Sequence, residues 1–372
     1  MSLDSVLDKH IVVCAGSGGV GKTTVSASIA LEAAKRGRKA IVVTIDPAKR
    51  LANSLGLKEL SNEPKRIRPE QFIDAGLKPA HLDAMMLDTK TTFDALVHKY
   101  AKDEARAERI VTNRFYLAIS GALSGTHEYM AMEKLYELHT EGDYDLIVID
   151  TPPTRNALDF LEAPKRMTSF LEGRLLKWFL LPALGGGKGV FKVMNFAAAQ
   201  FLRVVQKIIG AQLLKDTADF FANFEGMYEG FKERAQEVYE LLRQNETAFV
   251  VVTAPTAQAV DEALFFAGRL NEYDLPFGGL VVNRIHPLWQ VAAISGAGDD
   301  LIDPLIRAVH DFALVANREE ESLARLQQEV PEYRWARVPY MTKEVVDLSA
   351  LDEIADHIFG TSDPIPRAQS GG

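Results

Sequence analysis

Cysteine is almost absent from this chain of 372 residues: Cys14 is the only one. A single thiol excludes an intrachain disulfide framework, a cysteine zinc cage and an iron–sulfur cluster ligated by one chain. Long apolar runs are missing as well. No stretch of about 18 uncharged apolar residues occurs, so nothing reads as a membrane-spanning helix. Met1 to His10 has neither a basic start nor an apolar core and does not read as a secretory signal, which makes the cytoplasm the expected compartment. Excess positive charge is the third absence. The formal balance is −9, which argues against a protein that holds nucleic acid by its bulk charge.

What is present is an ordinary globular composition, 47% hydrophobic and 25% charged, able to bury a sizeable core. Short β-branched runs recur at Ile11–Ala15, Ala40–Thr44, Leu82–Leu87, Leu146–Asp150, Phe249–Thr253 and Gly279–Asn283, with Trp335–Pro339 a weaker one. Most are nearly continuous apolar runs, as expected of parallel strands covered on both faces. Helical patterns alternate with them, so an α/β fold with a doubly wound, mostly parallel sheet is expected. Two intervals, Asp88–Tyr144 and Thr151–Ala248, are too long for a plain crossover and read as helical throughout. The sequence therefore predicts an α-helical subdomain (91–143 and 156–245) inserted into a discontinuous sheet domain (1–90, 144–155 and 246–360). Residues 361–372, rich in Pro, Gly and Ser, read as a disordered tail.

The sharpest motif follows the first strand. Gly16-Ser17-Gly18-Gly19-Val20-Gly21-Lys22-Thr23 fits G-x-x-x-x-G-K-[ST] and opens a helical segment, the context a phosphate-binding loop requires. Glycines let backbone amides curl around phosphate oxygens, and the helix N-terminus adds positive potential. Lys22 then reaches the β- and γ-phosphates, and the Thr23 hydroxyl binds Mg²⁺. Holding the metal also needs a carboxylate. Asp150 ends the strand Leu146–Asp150 and enters a Thr-Pro-Pro-Thr turn, and Asp46 follows the second strand. Either residue alone also fits a helix cap or turn; beside a phosphate loop both point at the γ-phosphate.

At these residues the chain resembles the arsenical pump-driving (ArsA) and guided-entry, tail-anchored-protein-targeting ATPases, in the dimeric MinD/ParA-like branch of P-loop proteins. Gly16–Thr24 (GSGGVGKTT) is similar to the family's deviant Walker A loop, Thr44–Asn53 (TIDPAKRLAN) to its switch I, and Asp150–Leu161 (DTPPTRNALDFL) to its switch II. Ser124–Met132 resembles a PGxDE segment. Val281-Val282-Asn283 matches the adenine-reading asparagine, and Val338–Leu351 the final adenine loop. The resemblance spans 11 to about 358. It implies Mg-ATP as ligand and a homodimer, or a heterodimer with a paralogous ATPase. For the base, an amide such as Asn283 matches adenine N6 and N7, with Pro339 and Tyr340 as an apolar wall. Asn283 also fits a strand-terminal turn former.

Departures from the family are informative. Its signature lysine, which reaches the partner's nucleotide, falls at Ser17, and its water-activating aspartate falls at Asn53. An asparagine orients water but does not accept its proton. Arg155 stands where glycine is usual, either replacing the missing cation or lying on the surface. Slow hydrolysis is the expectation. The cysteines that bind zinc or arsenite in relatives are absent, so no zinc is expected and a metalloid pump is disfavoured.

The insert has its own character. Phe160–Phe231 holds ten of the chain's 19 Phe, and Gly173–Lys215 holds seven Lys/Arg and no acidic residue. On a helix, the bases Lys188, Lys192, Arg203 and Lys207 oppose an apolar arc that includes Phe191, Phe201 and Ile208. Three readings stay open: an ordinary packing helix, a groove or lid for hydrophobic cargo (a membrane protein segment or lipid), and contact with an anionic membrane surface.

Overall fold

Runs that are apolar on both faces form the centre of a sheet in the computed structural model. It describes residues 3–45, 50–119, 126–151, 212, 216–217, 219–220, 223, 227–287, 299–330 and 335–360. The strands are β1 (Ile11–Ala15), β2 (Ala40–Thr44), β3 (Lys65–Arg66), β4 (Leu82–Met86), β5 (Leu146–Asp150), β6 (Thr247–Thr253), β7 (Phe277–Ile285) and β8 (Trp335–Pro339). The described helices are α1 (Asp4–Leu7), α2 (Lys22–Lys35), α3 (Arg50–Ser54), α4 (Pro69–Asp74), α5 (Thr89–Tyr100), α6 (Glu104–Val111), α7 (Arg114–Ile119) and α8 (Thr126–Glu141). They continue with α9 (Tyr228–Arg243), α10 (Ala257–Glu272), α11 (Asp299–Glu329) and α12 (Leu348–Phe359). None of the described helices is long and apolar enough to cross a membrane.

The chain divides into two compact units. One comprises Met1–Leu87, Leu135–Leu158 and Glu240–Gly372; the other comprises Asp88–Lys134 and Asp159–Tyr239. The first holds the sheet, in strand order β3-β4-β2-β5-β1-β6-β7-β8. Every pairing is parallel except β3 with β4, so the α/β, mostly parallel architecture expected from the apolar runs is the one found. All residues of β1, β2, β5 and β6 are buried, the consequence of helices covering both faces. Because β1 lies between β5 and β6, the chain leaves it at the point where strand order reverses, and ligands of such sheets bind outside that crevice. Much of the buried surface of helix α2 is small, Ser26, Ala27, Ala30, Ala33 and Ala34, with Val25, Ile29 and Leu31 buried beside it. The antiparallel edge β3 was not expected from the sequence. Both its residues are exposed and it pairs only with β4, so it leaves no hydrophobic signature.

The described residues of the second unit are largely helical and pack an aromatic cluster. Phe93 stacks on Tyr116 (centroids 5.3 Å apart), and Phe231 lies 5.6 Å from Tyr100 and 6.0 Å from Tyr129. The polar ends are satisfied locally: Tyr116 Oη donates to Asp94, and Tyr129 Oη donates to the Phe231 carbonyl at 3.1 Å. Arg234 pairs with the buried Glu133 at 3.3 Å. Phe220 and Phe231, two of the phenylalanines in the segment 160–231 read as a cargo surface, are each 2% exposed and belong to this packing. Residues 173–211, with the basic amphipathic pattern, lie outside the described residues.

Cys14 is fully buried in β1 and carries no disulfide. Burial pushes its thiol up to about 12, with a Ser26 hydrogen bond opposing that rise. The neutral thiol is a poor nucleophile at ordinary pH. A thiol reagent at pH 8 should therefore leave the native chain unmodified and label it in denaturant. Rapid stoichiometric labelling of the folded chain would contradict this placement.

Candidate functional site

Chain direction builds the site. β1 ends at Ala15 and α2 begins at Lys22, so Gly16–Gly21 must turn the backbone at the sheet's edge. Gly16 passes so close to β6 that a Cβ there would stand 2.1 Å from the Val252 carbonyl oxygen. Gly21 precedes α2 with φ +95°, a conformation glycine adopts without penalty. Gly18 and Gly19 are exposed at the crest of the turn, Ser17 and Thr24 are half-buried, and Val20 is packed beneath. Lys22, only 6% exposed, donates from Nζ to the Ser17 carbonyl at 2.8 Å, which folds its ammonium back over the loop. The arrangement gathers backbone amides, a helix N-terminus and a lysine around one small space, which suits a polyphosphate.

The carboxylate comes from the neighbouring strand. Register pairs Asp150 of β5 with Cys14 of β1 and with Thr44 of β2, which sets all three chain ends at one level. Asp150, 1% exposed, accepts on Oδ2 from Thr23 Oγ1 at 2.6 Å and from Thr44 Oγ1 at 2.8 Å. Thr151 ties the end of β5 to β1 by donating Oγ1 to the Cys14 carbonyl at 2.8 Å. Hydroxyl and carboxylate oxygens together at a phosphate loop are the hard donors that Mg²⁺ prefers. Thr23 and Asp150, two of the three expected metal residues, are thus in direct contact. Asp46 and Arg155 lie outside the described residues. Asn53 is described, on α3, with its side chain exposed.

On the other flank stand the residues read as adenine-binding. Asn283, 6% exposed, donates Nδ2 to the Val20 carbonyl at 2.9 Å and accepts on Oδ1 from the Arg284 N–H at 2.9 Å. Its amide therefore braces the phosphate loop, and one donor and one lone pair remain for a base edge. Pro339 ends β8 and is followed by Tyr340, 54% exposed, whose N–H bonds the Ile285 carbonyl at 2.8 Å. The Tyr340 ring stacks on His286 with centroids 5.2 Å apart and planes 13° from parallel. Glu319 holds His286 by both its ring Nδ1 (2.6 Å) and its backbone N–H (2.8 Å). The His286 imidazole thus lies against the ring of Tyr340, one of the two residues expected to form an apolar wall.

Two arginines stand beside Lys22 and Thr23. A pocket of about 60 Å³ is lined by Gly19, Gly21, Lys22, Thr23 and Thr151 together with Arg50 and Arg284. Neither arginine was singled out from the sequence, although Arg50 lies in the switch I-like segment and Arg284 directly follows Asn283. A larger cleft of about 400 Å³ borders the loop at Ser17, Gly18 and Gly19, with Thr256, Gln258 and Glu262 on its far side.

Comparison with known proteins points to one family. A family model described as anion-transporting ATPase matches residues 9–360. The chain is similar to an arsenical pump-driving ATPase of Aquifex aeolicus, 25% identical over 369 residues, which covers 95% of this chain and 80% of that one. It is also similar to ATPase GET3 of Malassezia globosa, 26% identical over 287 residues and 76% of each chain. Against ATPase GET3C of Arabidopsis thaliana it is 27% identical over 294 residues, covering 76% of this chain and 68% of the other.

Proposed function

The chain belongs to the anion-transporting ATPase family and is an ATPase, and from that premise we propose a dimeric, Mg-ATP-dependent switch whose nucleotide state opens and closes the helical subdomain around hydrophobic cargo or a membrane partner. The observation that carries the nucleotide part is the contact of Thr23 and Thr44 with one oxygen of the buried Asp150, beside Lys22. In this reading Lys22 and the loop amides bind the phosphates, and Thr23 and Asp150 hold magnesium, with Asp46 as the further carboxylate. Bound magnesium would neutralise phosphate charge during transfer. Asn53 orients the attacking water without taking its proton, so turnover is slow. Asn283, Pro339 and Tyr340 face the base. The cargo part rests on the Phe-rich, locally basic stretch of the sequence, and the protein works in the cytoplasm or at the membrane periphery.

Ser17 and Asn53 favour a second reading, an ATP-binding regulatory subunit that hardly hydrolyses and pairs with a paralogous ATPase. The name of the Aquifex relative suggests a third, an arsenical pump subunit. A lone buried thiol offers no metalloid site of the cysteine type, which disfavours it.

The test uses the purified full chain. ATP binding and phosphate release are measured with Mg²⁺ and with EDTA, and light scattering follows mass on adding ATP. We expect Mg-dependent binding, slow release and an ATP-dependent doubling of mass. Lys22→Ala should abolish release, and its co-purifying partners are identified by mass spectrometry. A chain that binds no ATP in Mg²⁺ overturns the first two readings. Binding without measurable release selects the regulatory one.

A further inference from the structure

A chain with Ser17 at the signature position lacks the lysine of its relatives, yet its phosphate pocket is not short of positive charge. We propose that Arg284 supplies, within the same chain, a cation that grips the phosphates of bound nucleotide alongside Lys22. The inference rests on the ATP-binding reading above and concerns which side chain completes that site.

Four observations carry it. First, Arg284 lines the pocket of about 60 Å³ formed with Lys22, Thr23 and Thr151. Second, its exposed guanidinium is tied to the loop: Nη1 donates to the Gly19 carbonyl at 2.7 Å, across 265 residues of sequence. One carbonyl engages little of a planar fork whose donors match phosphate oxygens in pairs. Third, the backbone is held against its own preference. Arg284 has φ +64°, a left-handed conformation that costs free energy for any residue with a Cβ. Such strain persists where the surroundings impose it, and here Asn283 imposes it by accepting the Arg284 N–H while donating to Val20 of the loop. Fourth, the register of β7 on β8 breaks between Val282 and Ile285, the interval that holds Asn283 and Arg284. A break in the ladder re-aims a side chain, and this one is aimed at the loop.

The charge, not the local fold, is what the proposal assigns, and the backbone strain supplies the means to separate them. Arg284→Gly removes the guanidinium and relieves the strained φ. Arg284→Lys keeps a positive charge and loses the fork. The full-length proteins are titrated with a fluorescent ATP analogue in Mg²⁺, and their melting temperatures are measured without nucleotide. We expect Arg284→Gly to weaken ATP binding by about ten- to a hundredfold, the loss of a charge-assisted phosphate contact. Its nucleotide-free melting temperature should stay the same or rise. Arg284→Lys should recover part of the affinity. The proposal is overturned if Arg284→Gly binds ATP as tightly as the unaltered chain, or if Arg284→Lys loses as much as Arg284→Gly. An unaltered chain that binds no ATP would instead sink the nucleotide reading, and this inference with it.

Discussion

Asp150→Asn is expected to lower ATP turnover on the order of a thousandfold while leaving the chain folded. The two halves of that statement have separate causes. Asparagine has nearly the shape of aspartate, and its Oδ1 still accepts from Thr23 and Thr44, the two hydroxyls that meet Asp150 Oδ2 at 2.6 and 2.8 Å. The ends of β5, β1 and β2 therefore keep their register, and the melting temperature should shift by only a few degrees. What is lost is the negative charge. Under the proposed function that charge holds magnesium beside the Thr23 oxygen, and a metal at the transferring phosphate is worth several kcal/mol of barrier. The check is steady-state phosphate release against magnesium concentration, with thermal melting in parallel. Turnover within tenfold of the unaltered chain would remove Asp150 from the metal site. Unfolding would show that the carboxylate is needed for structure.

How much of this is legible in the sequence follows from which interactions are local. β1, β2, β4, β5, β6 and β7 are legible because burial on both faces writes a nearly continuous apolar run into the sequence, and β8 leaves a weaker one. β3 is not legible, since two exposed residues at an edge write nothing. The phosphate loop is one contiguous motif between a strand and a helix, so its chemistry was open to inspection. The rest of the site is assembled by register. That Thr44 shares an oxygen with Thr23 depends on β2 lying beside β5, and no spacing within either segment announces it. Asn283 reads from the sequence as a contact for the base, and what the structure shows of its side chain is a brace on Val20. Arg284 was invisible for a physical reason. Its relevance comes from a positive φ and a broken strand register, both tertiary consequences, and in sequence it is one more arginine. The same logic separates the two phenylalanines Phe220 and Phe231 from a cargo surface, because aromatic density in a sequence does not say which rings pack on one another.

Gly21→Ala should be among the most damaging single methyl additions in the sheet unit, and the reason is again the meeting of loop and β7. A Cβ at this position would lie 2.1 Å from Asn283 Nδ2, far inside contact distance, and would also have to adopt φ +95°. The dihedral alone costs about 1–3 kcal/mol for a residue with a Cβ. Relieving the clash means moving Asn283 off the Val20 carbonyl or lifting the start of α2, where the phosphate-binding amides and Lys22 are set. Either movement spoils the site, so ATP affinity should fall by about a hundredfold or more and the melting temperature should drop together with it. Combining the change with Asn283→Ala separates the two causes. Removing Nδ2 abolishes the clash but leaves the strained dihedral, so the double variant should be more stable than the sum of the single effects predicts. ATP binding should stay weak, because the brace on Val20 is gone. Strict additivity in the melting data would mean that loop and Asn283 do not meet as described. Gly21→Ala with the affinity of the unaltered chain would remove this loop from nucleotide binding.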